Sequence, residues 1–327
     1  MMTFGIDVSK KKLDCAWLRD STSRKVKNRT FENTPAGFQA LIRWAKASSQ
    51  APIEGTHFTL EATGVYHEAL AYALYQAGAH VSVVNPAHIK RYAESFGRRS
   101  KTDKRDSVII ALYGATHQPR QWAPEPAEIR VLKALLGRLE AVEKDIQREQ
   151  NRLEKATITQ ASAVVCESIQ TILAHLETEK KRLLTLIDAH IDQYPNLKSD
   201  RALLASIPGI GPVMTRYMMA MLRSREFDSA AQAGAYAGLV PVHHESGTSV
   251  RGKAMISKTG NATLRAKLYM AAVVAVQHNP TIRAHYRRLL QNGKSKMAAL
   301  VAAMRKLVHI CFGVLKHQTP FQAPTTR

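Results

Sequence analysis

The stretch from Arg138 to Tyr194 contains neither glycine nor proline, and this constrains the fold more than any other feature of the chain. Leucine, isoleucine and valine recur in it at helical spacing among charged residues, which predicts a long helix or an α-hairpin with an apolar stripe. The stripe must be buried on another helix, either in a coiled coil that joins subunits or in an ordinary intramolecular pair. The stretch divides the chain into three predicted domains, 1–120, 121–198 and 199–327.

The first domain alternates short apolar runs with helical patterns, which predicts an α/β fold. Its predicted strands are residues 3–8, 25–31, 56–60 and 80–84. A further strand is predicted after the first, where Leu13, Cys15 and Trp17 alternate with other residues. Its predicted helices are 35–47, 66–76 and a third that opens at Pro86. Three antiparallel strands followed by alternating strands and helices are the element order of a ribonuclease H-like domain. The last domain is predicted to be helical, so the fold class is α/β plus all-α.

Four carboxylates lie where the α/β domain would bring them together. Asp7 and Glu61 each end a predicted strand, and Asp103 and Asp106 are three residues apart at the start of a predicted helix. Ligands of open α/β sheets bind beyond the carboxyl ends of the strands. Clustered carboxylates repel one another unless a cation joins them, so the four predict a site for Mg²⁺ or Mn²⁺. Acids in such places are also ordinary caps and turn residues, and Asp14 is given no part in the cluster.

The chain has a formal charge of +21, with 47 lysines and arginines against 26 acids. Such an excess attracts polyanions and releases their counterions, so the expected partner is DNA or RNA and the expected substrate is a phosphodiester. A ribosome-associated or simply soluble basic protein is the alternative. Lys101, Lys104 and Arg105 flank the predicted acidic helix. They either hold a phosphate backbone over the acids or only offset the acidic charge.

The cysteines and the hydropathy pattern bear on the compartment. Cys15, Cys166 and Cys311 are far apart and lack metal-ligand spacing, which argues against zinc and against a disulfide framework. No apolar run reaches membrane-spanning length, and the N-terminus begins with a strand instead of a signal peptide. We therefore expect a cytoplasmic protein with no membrane association.

The last domain contains the glycine-rich segment SIPGIGPVMT. Gly209 and Gly211 there predict a tight turn between two helices. Glycine lets the backbone approach a phosphate, and the N–H groups of the following helix start can bind it, as in a helix-hairpin-helix motif. The alternative is a simple connector. The later basic stretch is interpreted as a solvated face in preference to a base reader; it contains Arg283, Arg287, Arg288, Lys294, Lys296, Arg305 and Lys306.

A second candidate for chemistry is Ser246, which precedes a glycine in a loop rich in small and basic residues. A serine hydroxyl is a poor nucleophile until a base, a metal or nearby cations assist it. Arg251, Lys253 and Lys258 are close in sequence and could hold DNA there. Taken alone, the pattern favours a turn role for Ser246, as it does for Ser249 and Ser257 in the same region.

Several motifs occur together and in order along the chain. They are GIDVSKKKLD, LEATGVYHEAL, VNPAHIKRYAESFGRRSKTDKRDS, SIPGIGPVMT, AYAGLVP, SGTS and ISKTGNATLR. In this order they resemble the DEDD transposases of the insertion-sequence one-ten (IS110) family, relatives of the Piv invertases. The resemblance covers nearly the whole chain. It implies a ribonuclease H or RuvC-like N-terminal domain, a coiled-coil middle and a C-terminal transposase domain containing a serine.

The resemblance also implies roles for single residues. Asp7, Glu61, Asp103 and Asp106 would be the metal ligands, and Ser246 the catalytic serine. DNA would be cleaved and rejoined through a covalent phosphoserine, with donor and target chosen by a structured noncoding bridge RNA. We expect a homo-oligomer, a dimer or tetramer. Three rivals stay open: a Holliday junction resolvase-like nuclease, an actin-like ATPase or sugar kinase, and an inert nucleic-acid-binding protein.

Overall fold

The computed structural model describes residues 1–20, 25–62, 64–95, 103–242, 245–246, 250–251, 255–256 and 260–323 of the 327-residue chain. For Asp103, Lys104, Arg105, Ser246 and Arg251 it describes the backbone alone. The chain forms two compact units, Met1–Pro124 and Glu125–Arg327. The division into three domains stays a prediction.

The first unit is built on a mixed sheet of five strands. These are β1 (Met2–Val8), β2 (Lys12–Asp20), β3 (Lys25–Glu32), β4 (Thr56–Glu61) and β5 (His80–Val84). Their order is β3-β2-β1-β4-β5; β1 to β3 pair antiparallel, whereas β1, β4 and β5 are parallel. The helices are α1 (Pro35–Ser49), α2 (Glu68–Gln76), α3 (Pro86–Glu94) and α4 (Asp103–His117). The α/β fold predicted for this part of the chain is confirmed.

Residue alternation along the strands separates the two faces of the sheet. On one face Phe4, Ile6 and Phe58 pack in a core that includes residues of α1 and α2. On the other face Ala16 and Leu18 of β2 pack with residues of α4. The sheet is therefore covered on both faces. Helices α1 and α2 lie on the first face, and α4 lies on the second.

The second unit is mainly helical. Its helices are α5 (Ala127–Ile158), α6 (Ala163–Gln193), α7 (Pro195–Ala205), α8 (Pro212–Leu222), α9 (Ala230–Tyr236), α10 (Ala262–His278), α11 (Pro280–Gln291) and α12 (Lys296–His317). Between α9 and α10 lie two short antiparallel ribbons. The first pairs β6 (Pro241–Val242) with β9 (Met255–Ile256), and the second pairs β7 (Glu245–Ser246) with β8 (Val250–Arg251).

The stretch without glycine or proline forms the helical hairpin of α5 and α6. Leu132 and Val142 of α5 and Ile187 of α6 are fully buried in the core of the second unit. Near the tip of the hairpin, by contrast, the exposed fraction of Ile158 is 73% and that of Val164 is 74%. The helices thus pair within one chain. Their assignment as a coiled coil that joins subunits stays a prediction.

Contrary to the prediction that no apolar run reaches membrane-spanning length, helix α12 is long and apolar enough to cross a membrane, with a mean hydropathy of 1.7 over its most apolar window. Ala303, Leu307 and Cys311 on this helix are nevertheless fully buried in the core of the second unit. A core helix passes the same test of length and composition, so α12 is weak evidence for a membrane span. No other helix in the described part of the chain meets that test.

The three cysteines are free thiols. Cys15 and Cys311 are fully buried, and burial raises the pKa of both thiols, that of Cys311 to about 12. A thiol with a raised pKa stays protonated at neutral pH and is a poor nucleophile and a poor metal ligand. The two buried cysteines therefore act as small apolar core residues.

Candidate active site

The two acid-bearing strands lie side by side in the sheet. β1 and β4 are parallel, and Ile6 is the register partner of Leu60. Continuing this register by one residue places Asp7 beside Glu61. Because every second residue of a strand shares a face, Asp7 lies on the face of Gly5, and Glu61 on the face of Thr59. Both carboxylates therefore occupy the carboxyl edge of the sheet on one face.

Close backbone contact fixes α4 over that face. A Cβ atom placed on Gly5 would lie 2.2 Å from both the Ala111 nitrogen and the Ser107 carbonyl oxygen. A Cβ atom on Gly114, seven residues after Ser107, would lie 2.1 Å from Oγ1 of Thr59. The only side chain that fits under this helix at Gly5 is therefore a hydrogen atom.

These contacts also set the direction of α4. Ser107 lies over Gly5, whereas Gly114 lies near Thr3, which is two residues earlier on β1. The helix consequently runs antiparallel to β1, and its N-terminal turn points toward the carboxyl ends of β1 and β4. Asp106, in that turn, is thereby brought toward Asp7 and Glu61. The backbone of Asp103 begins the same turn.

The strand register and the direction of α4 place Asp7, Glu61 and Asp106 toward one edge of the sheet, and their assignment as metal ligands stays a prediction. Asp7, Glu61 and Asp106 are half-buried, and each makes a polar or electrostatic interaction. No set of three histidines, cysteines or carboxylates among the described side chains is close enough to be a metal site, and the Asp103 side chain lies outside that set. The donor chemistry nevertheless fits a hard divalent cation, which prefers carboxylate oxygens.

Asp14 is the residue that sequence reasoning missed at this edge. It is the register partner of Asp7 on the antiparallel strand β2, so the two side chains share a face. Asp14 is only 6% exposed. Its carboxylate accepts a hydrogen bond of 2.7 Å from Oγ1 of Thr30 and forms an ion pair of 3.1 Å with Nζ of Lys12. The Leu13, Cys15 alternation could have placed Asp14 on the face opposite the apolar core, but not beside Asp7.

A cavity of about 180 Å³ adjoins Asp14. Its lining includes Asn28, Arg29 and Thr30 of β3 and Ser107 of α4. The cavity therefore runs from the β2–β3 strands to the first turn of the acid-bearing helix.

Asn33 links the loops that follow the two acid-bearing strands. Its side-chain amide Nδ2 donates one hydrogen bond of 2.9 Å to the carbonyl oxygen of Ser9 and another of 3.1 Å to that of Tyr66. Ser9 follows Asp7 by two residues, and Tyr66 lies in the turn after Glu61. Both amide protons are thus used to hold the two loops together. Nothing in the spacing of the sequence indicated this role.

The other predicted site residues divide into two groups. Lys104 and Arg105 lie in α4, and Ser246 and Arg251 lie in the β7–β8 ribbon, where Ser246 pairs with Val250. The predicted sites at Lys101, Ser249, Lys253, Ser257 and Lys258 lie outside the described residues. Ser246 belongs to the second unit, whereas the four acids belong to the first.

The glycine-rich turn joins α7 to α8 as predicted. Gly209 has a φ of +97°, and a Cβ atom there would lie 2.6 Å from that of Ala275 on α10. Nδ2 of Asn279 donates a hydrogen bond of 3.2 Å to the Pro208 carbonyl oxygen, which fixes the turn on the same side. Gly211 caps α8, and a Cβ atom on it would meet nothing within 4 Å. Protein packing thus explains Gly209, and the nucleic-acid contact predicted for both glycines stays a prediction.

Comparison with known families defines the class of protein. A family model for DEDD transposases of the IS110 type, described as Transposase, matches residues 4–161, which include most of β1, strands β2 to β5 and helices α1 to α5. A DEDD transposase domain has a RuvC-like fold, in agreement with the mixed sheet and its acidic edge. A second model, described as Transposase IS116/IS110/IS902 family, matches residues 201–287. The chain belongs to the IS110 family of transposases.

Curated relatives agree with this assignment. The pilin gene-inverting protein of Moraxella bovis is 34% identical over 319 residues, which cover 97% of this chain and 96% of that protein. The pilin gene-inverting protein of Moraxella lacunata matches with the same identity and coverage. An uncharacterized 43.6 kDa protein of insertion element IS110 from Streptomyces coelicolor is 26% identical over 161 residues, 49% of this chain and 38% of that protein. The protein is therefore a DNA transposase or recombinase.

Proposed function

We propose that the protein is a divalent-metal-dependent DNA recombinase that cleaves and rejoins strands through a phosphoserine at Ser246, guided by a structured noncoding RNA. The observation that carries the proposal is the parallel register of β1 and β4, which ends both acid-bearing strands at one edge of the sheet, together with the packing of α4 on Gly5. Similarity to a pilin gene-inverting protein along 97% of the chain supports strand exchange over simple hydrolysis.

The acids Asp7, Glu61, Asp103 and Asp106 would hold Mg²⁺ or Mn²⁺. Carboxylates gathered at one site remain ionised together only when positive charge joins them. A bound divalent cation supplies Lewis-acid stabilisation of the charge that develops on the phosphate oxygens. The acids themselves would fix that cation at the carboxyl edge of the sheet, where the phosphodiester would bind. Lys104 and Arg105, which follow Asp103 on α4, supply cations for the flanking backbone.

Ser246 would be the nucleophile. Its oxygen forms a bond to phosphorus while the bond from phosphorus to the leaving sugar oxygen breaks. The serine gives up its proton to a base, and the leaving sugar oxygen takes up a proton. Because the phosphoserine keeps the phosphoester bond, a sugar hydroxyl of another strand can attack it, restore the serine and complete strand exchange without external energy. Ser249 and Ser257 are the alternative nucleophiles.

The serine and the acids lie in different units, and we expect one active site to be assembled from two subunits. The long α5–α6 hairpin, with its exposed apolar tip, supports a role in joining the subunits of a dimer or tetramer. Mixing a Glu61→Ala chain with a Ser246→Ala chain should then restore some recombination. If both variants assemble and no mixture recovers activity, the shared site is rejected.

Guidance by RNA is supported by the charge of the chain. A charge of +21 without an evident base-reading motif fits a protein that holds nucleic-acid backbones while base pairing reads the sequence. Protein purified from its own host should then carry RNA of defined length. Recombination that survives complete removal of RNA would refute guidance and leave the serine chemistry untouched.

The experiment that decides the mechanism replaces the serine. Ser246→Ala should abolish recombination and the covalent protein–DNA adduct seen on a denaturing gel, whereas Ser249→Ala in the same region should keep both. The rival is a Holliday junction resolvase-like nuclease, which shares the acids but hydrolyses with water. If Ser246→Ala cleaves a junction normally and no adduct forms with the unmodified protein, that rival is correct. Family membership leaves the actin-like ATPase without support.

A further inference from the structure

The C-terminal part of the second unit contains basic residues and no acidic ones. No aspartate or glutamate follows Glu245 in the sequence, although lysines and arginines continue to the last residue. Helices α11 and α12 come from this acid-free region. Five of their side chains form what we call the α11–α12 basic cluster. They are His285, Arg288, Arg305, Lys306 and His309.

Contacts within this cluster are close. Nη2 of Arg288 lies 3.3 Å from Nδ1 of His285 on α11. On α12, Arg305 and His309 are one turn apart and meet at Gly234 of α9. A Cβ atom placed on Gly234 would lie 3.2 Å from Nε2 of His309 and 3.3 Å from Cγ of Arg305. The basic side chains thus converge where α9 and α11 flank α12.

The pKa shifts of the two histidines agree with positive charge gathered at this cluster. Burial lowers the pKa of His309, and the charges of Arg305 and Lys306 lower it further. Burial likewise lowers the pKa of His285, with Arg288 and Lys306 adding to the effect. Lys306 therefore acts on both histidines. Both are driven toward the neutral form, in which an imidazole still offers one N–H donor.

These cations differ from the other arginines of the same unit. Arg148, Arg182 and Arg216 each form an ion pair with a carboxylate. Within the described residues, no carboxylate forms an ion pair with Arg305 or Lys306. Moreover, Nε of Arg305 and Nε2 of His309 are buried without a hydrogen-bond partner in the described structure. Buried polar groups of this kind are costly unless a partner satisfies them.

We propose that the α11–α12 basic cluster binds a phosphate of a nucleic-acid backbone. Arg305 and Lys306, whose side chains are half-buried, supply the charge, and the guanidinium of Arg305 supplies directed donors for phosphate oxygens. The cluster fixes the position of the strand and carries no sequence information, because it offers donors to a phosphate and not to base edges. This inference rests on the proposed function, which supplies the polynucleotide. It replaces the interpretation of this basic stretch as a solvated face.

The test is the salt dependence of binding. Dissociation constants of the full chain are measured for duplex DNA and for a structured RNA over a series of salt concentrations. Each lost phosphate contact lowers the slope of log K against log salt by about 0.9 for duplex DNA and about 0.7 for single strands. Arg305→Gln combined with Lys306→Gln should therefore reduce the slope by the amount expected for one to two phosphate contacts with at least one of the two ligands. The ligand whose slope changes identifies the backbone that the cluster binds.

The matched control is Arg148→Gln combined with Arg152→Gln on the exposed surface of α5. It removes the same charge from two arginines that are already paired with acids, so the slope should stay at its original value. Equal slopes for the cluster variant and the control, with both ligands and with thermal unfolding unchanged, would overturn the proposal.

A third variant separates a phosphate site from general attraction. Arg305→Lys keeps the charge but removes the guanidinium fork, so binding should weaken while the slope changes little. Binding can be measured with Ser246→Ala in the background, because it does not depend on cleavage. The phosphoserine mechanism can then fail while the phosphate site survives, and the reverse outcome is equally distinguishable.

Discussion

A methyl group added at Gly5 should displace α4 and so distort the candidate active site. In the native structure the backbone of α4 rests directly on β1 at this residue. The Cβ atom of a Gly5→Ala variant would lie 2.2 Å from two backbone atoms, the Ala111 nitrogen and the Ser107 carbonyl oxygen. Backbone atoms of a helix cannot rotate away as a side chain can. The whole helix must move.

The size of the movement follows from the contact distance. Ordinary van der Waals contact begins at 3.4 Å, so α4 must retreat from β1 by about 1 Å. Overpacking of this kind costs about 1–3 kcal/mol of stability. Asp106 moves with the helix, whereas Asp7 stays on the strand. Misplacement by about 1 Å can lower a catalytic rate by about 10²-fold, so we expect a variant that folds and is about a hundredfold less active.

The assay compares stability and activity in one preparation. Urea denaturation gives the free energy of unfolding, and junction cleavage is measured where the variant is fully folded. Gly137→Ala is the control, because Gly137 lies exposed within α5 and a Cβ atom there meets nothing within 4 Å. It should gain about 0.5–1 kcal/mol and keep its activity. Full activity and full stability of Gly5→Ala would refute the proposed contact between α4 and β1.

Three further predictions concern other contacts. Asn33→Ala removes both hydrogen bonds that join the loops after β1 and β4; it should weaken Mn²⁺ binding measured by calorimetry several-fold, and unchanged affinity would contradict a positioning role. Arg223→Met leaves the carboxylate of Asp200, which is 1% exposed, without its bidentate partner; chemical denaturation should show a loss of about 3 kcal/mol, and a loss below 1 kcal/mol would count against this pair as a main support of the second unit. Burial is the main cause that lowers the pKa of His57 below its ordinary value of 6.5. The contribution of neutral His57 to stability is therefore complete above pH 6.5, and it is lost as the pH falls from 6.5 through the lowered pKa. The melting temperature should therefore decrease between pH 7 and 5, and His57→Gln should reduce this decrease while His88→Gln, on the exposed surface of α3, leaves it unchanged.

Much of the first unit could be predicted because its signals are local. Alternating residues predicted the strands, and Pro35 and Pro86 at helix starts predicted where α1 and α3 begin. The helix before β5 begins at Glu68, two residues later than expected, because residues 64–67 form a turn instead. The placement of Asp7 and Glu61 also followed from local pattern, since parallel strands end at a common edge.

The rest of the candidate site depends on contacts that no local pattern records. Asp14 lies beside Asp7 only because of the antiparallel register of β1 and β2. Asn33 is close to Ser9 and Tyr66 only because three loops converge after folding. An acid or an amide at such a position looks the same in sequence as one on an open surface.

The sequence by itself determined the element types, the acidic ends of β1 and β4, the helical hairpin and the excess of positive charge. These properties follow from periodicity and composition, which act over a few residues. Tertiary structure alone decided that α4 lies on Gly5 with its first turn at the acidic edge, and that Arg305 and His309 converge at Gly234. Both outcomes depend on the docking of distant segments, whose geometry is set by the packing of the whole unit and not by the residues next to one another in the chain.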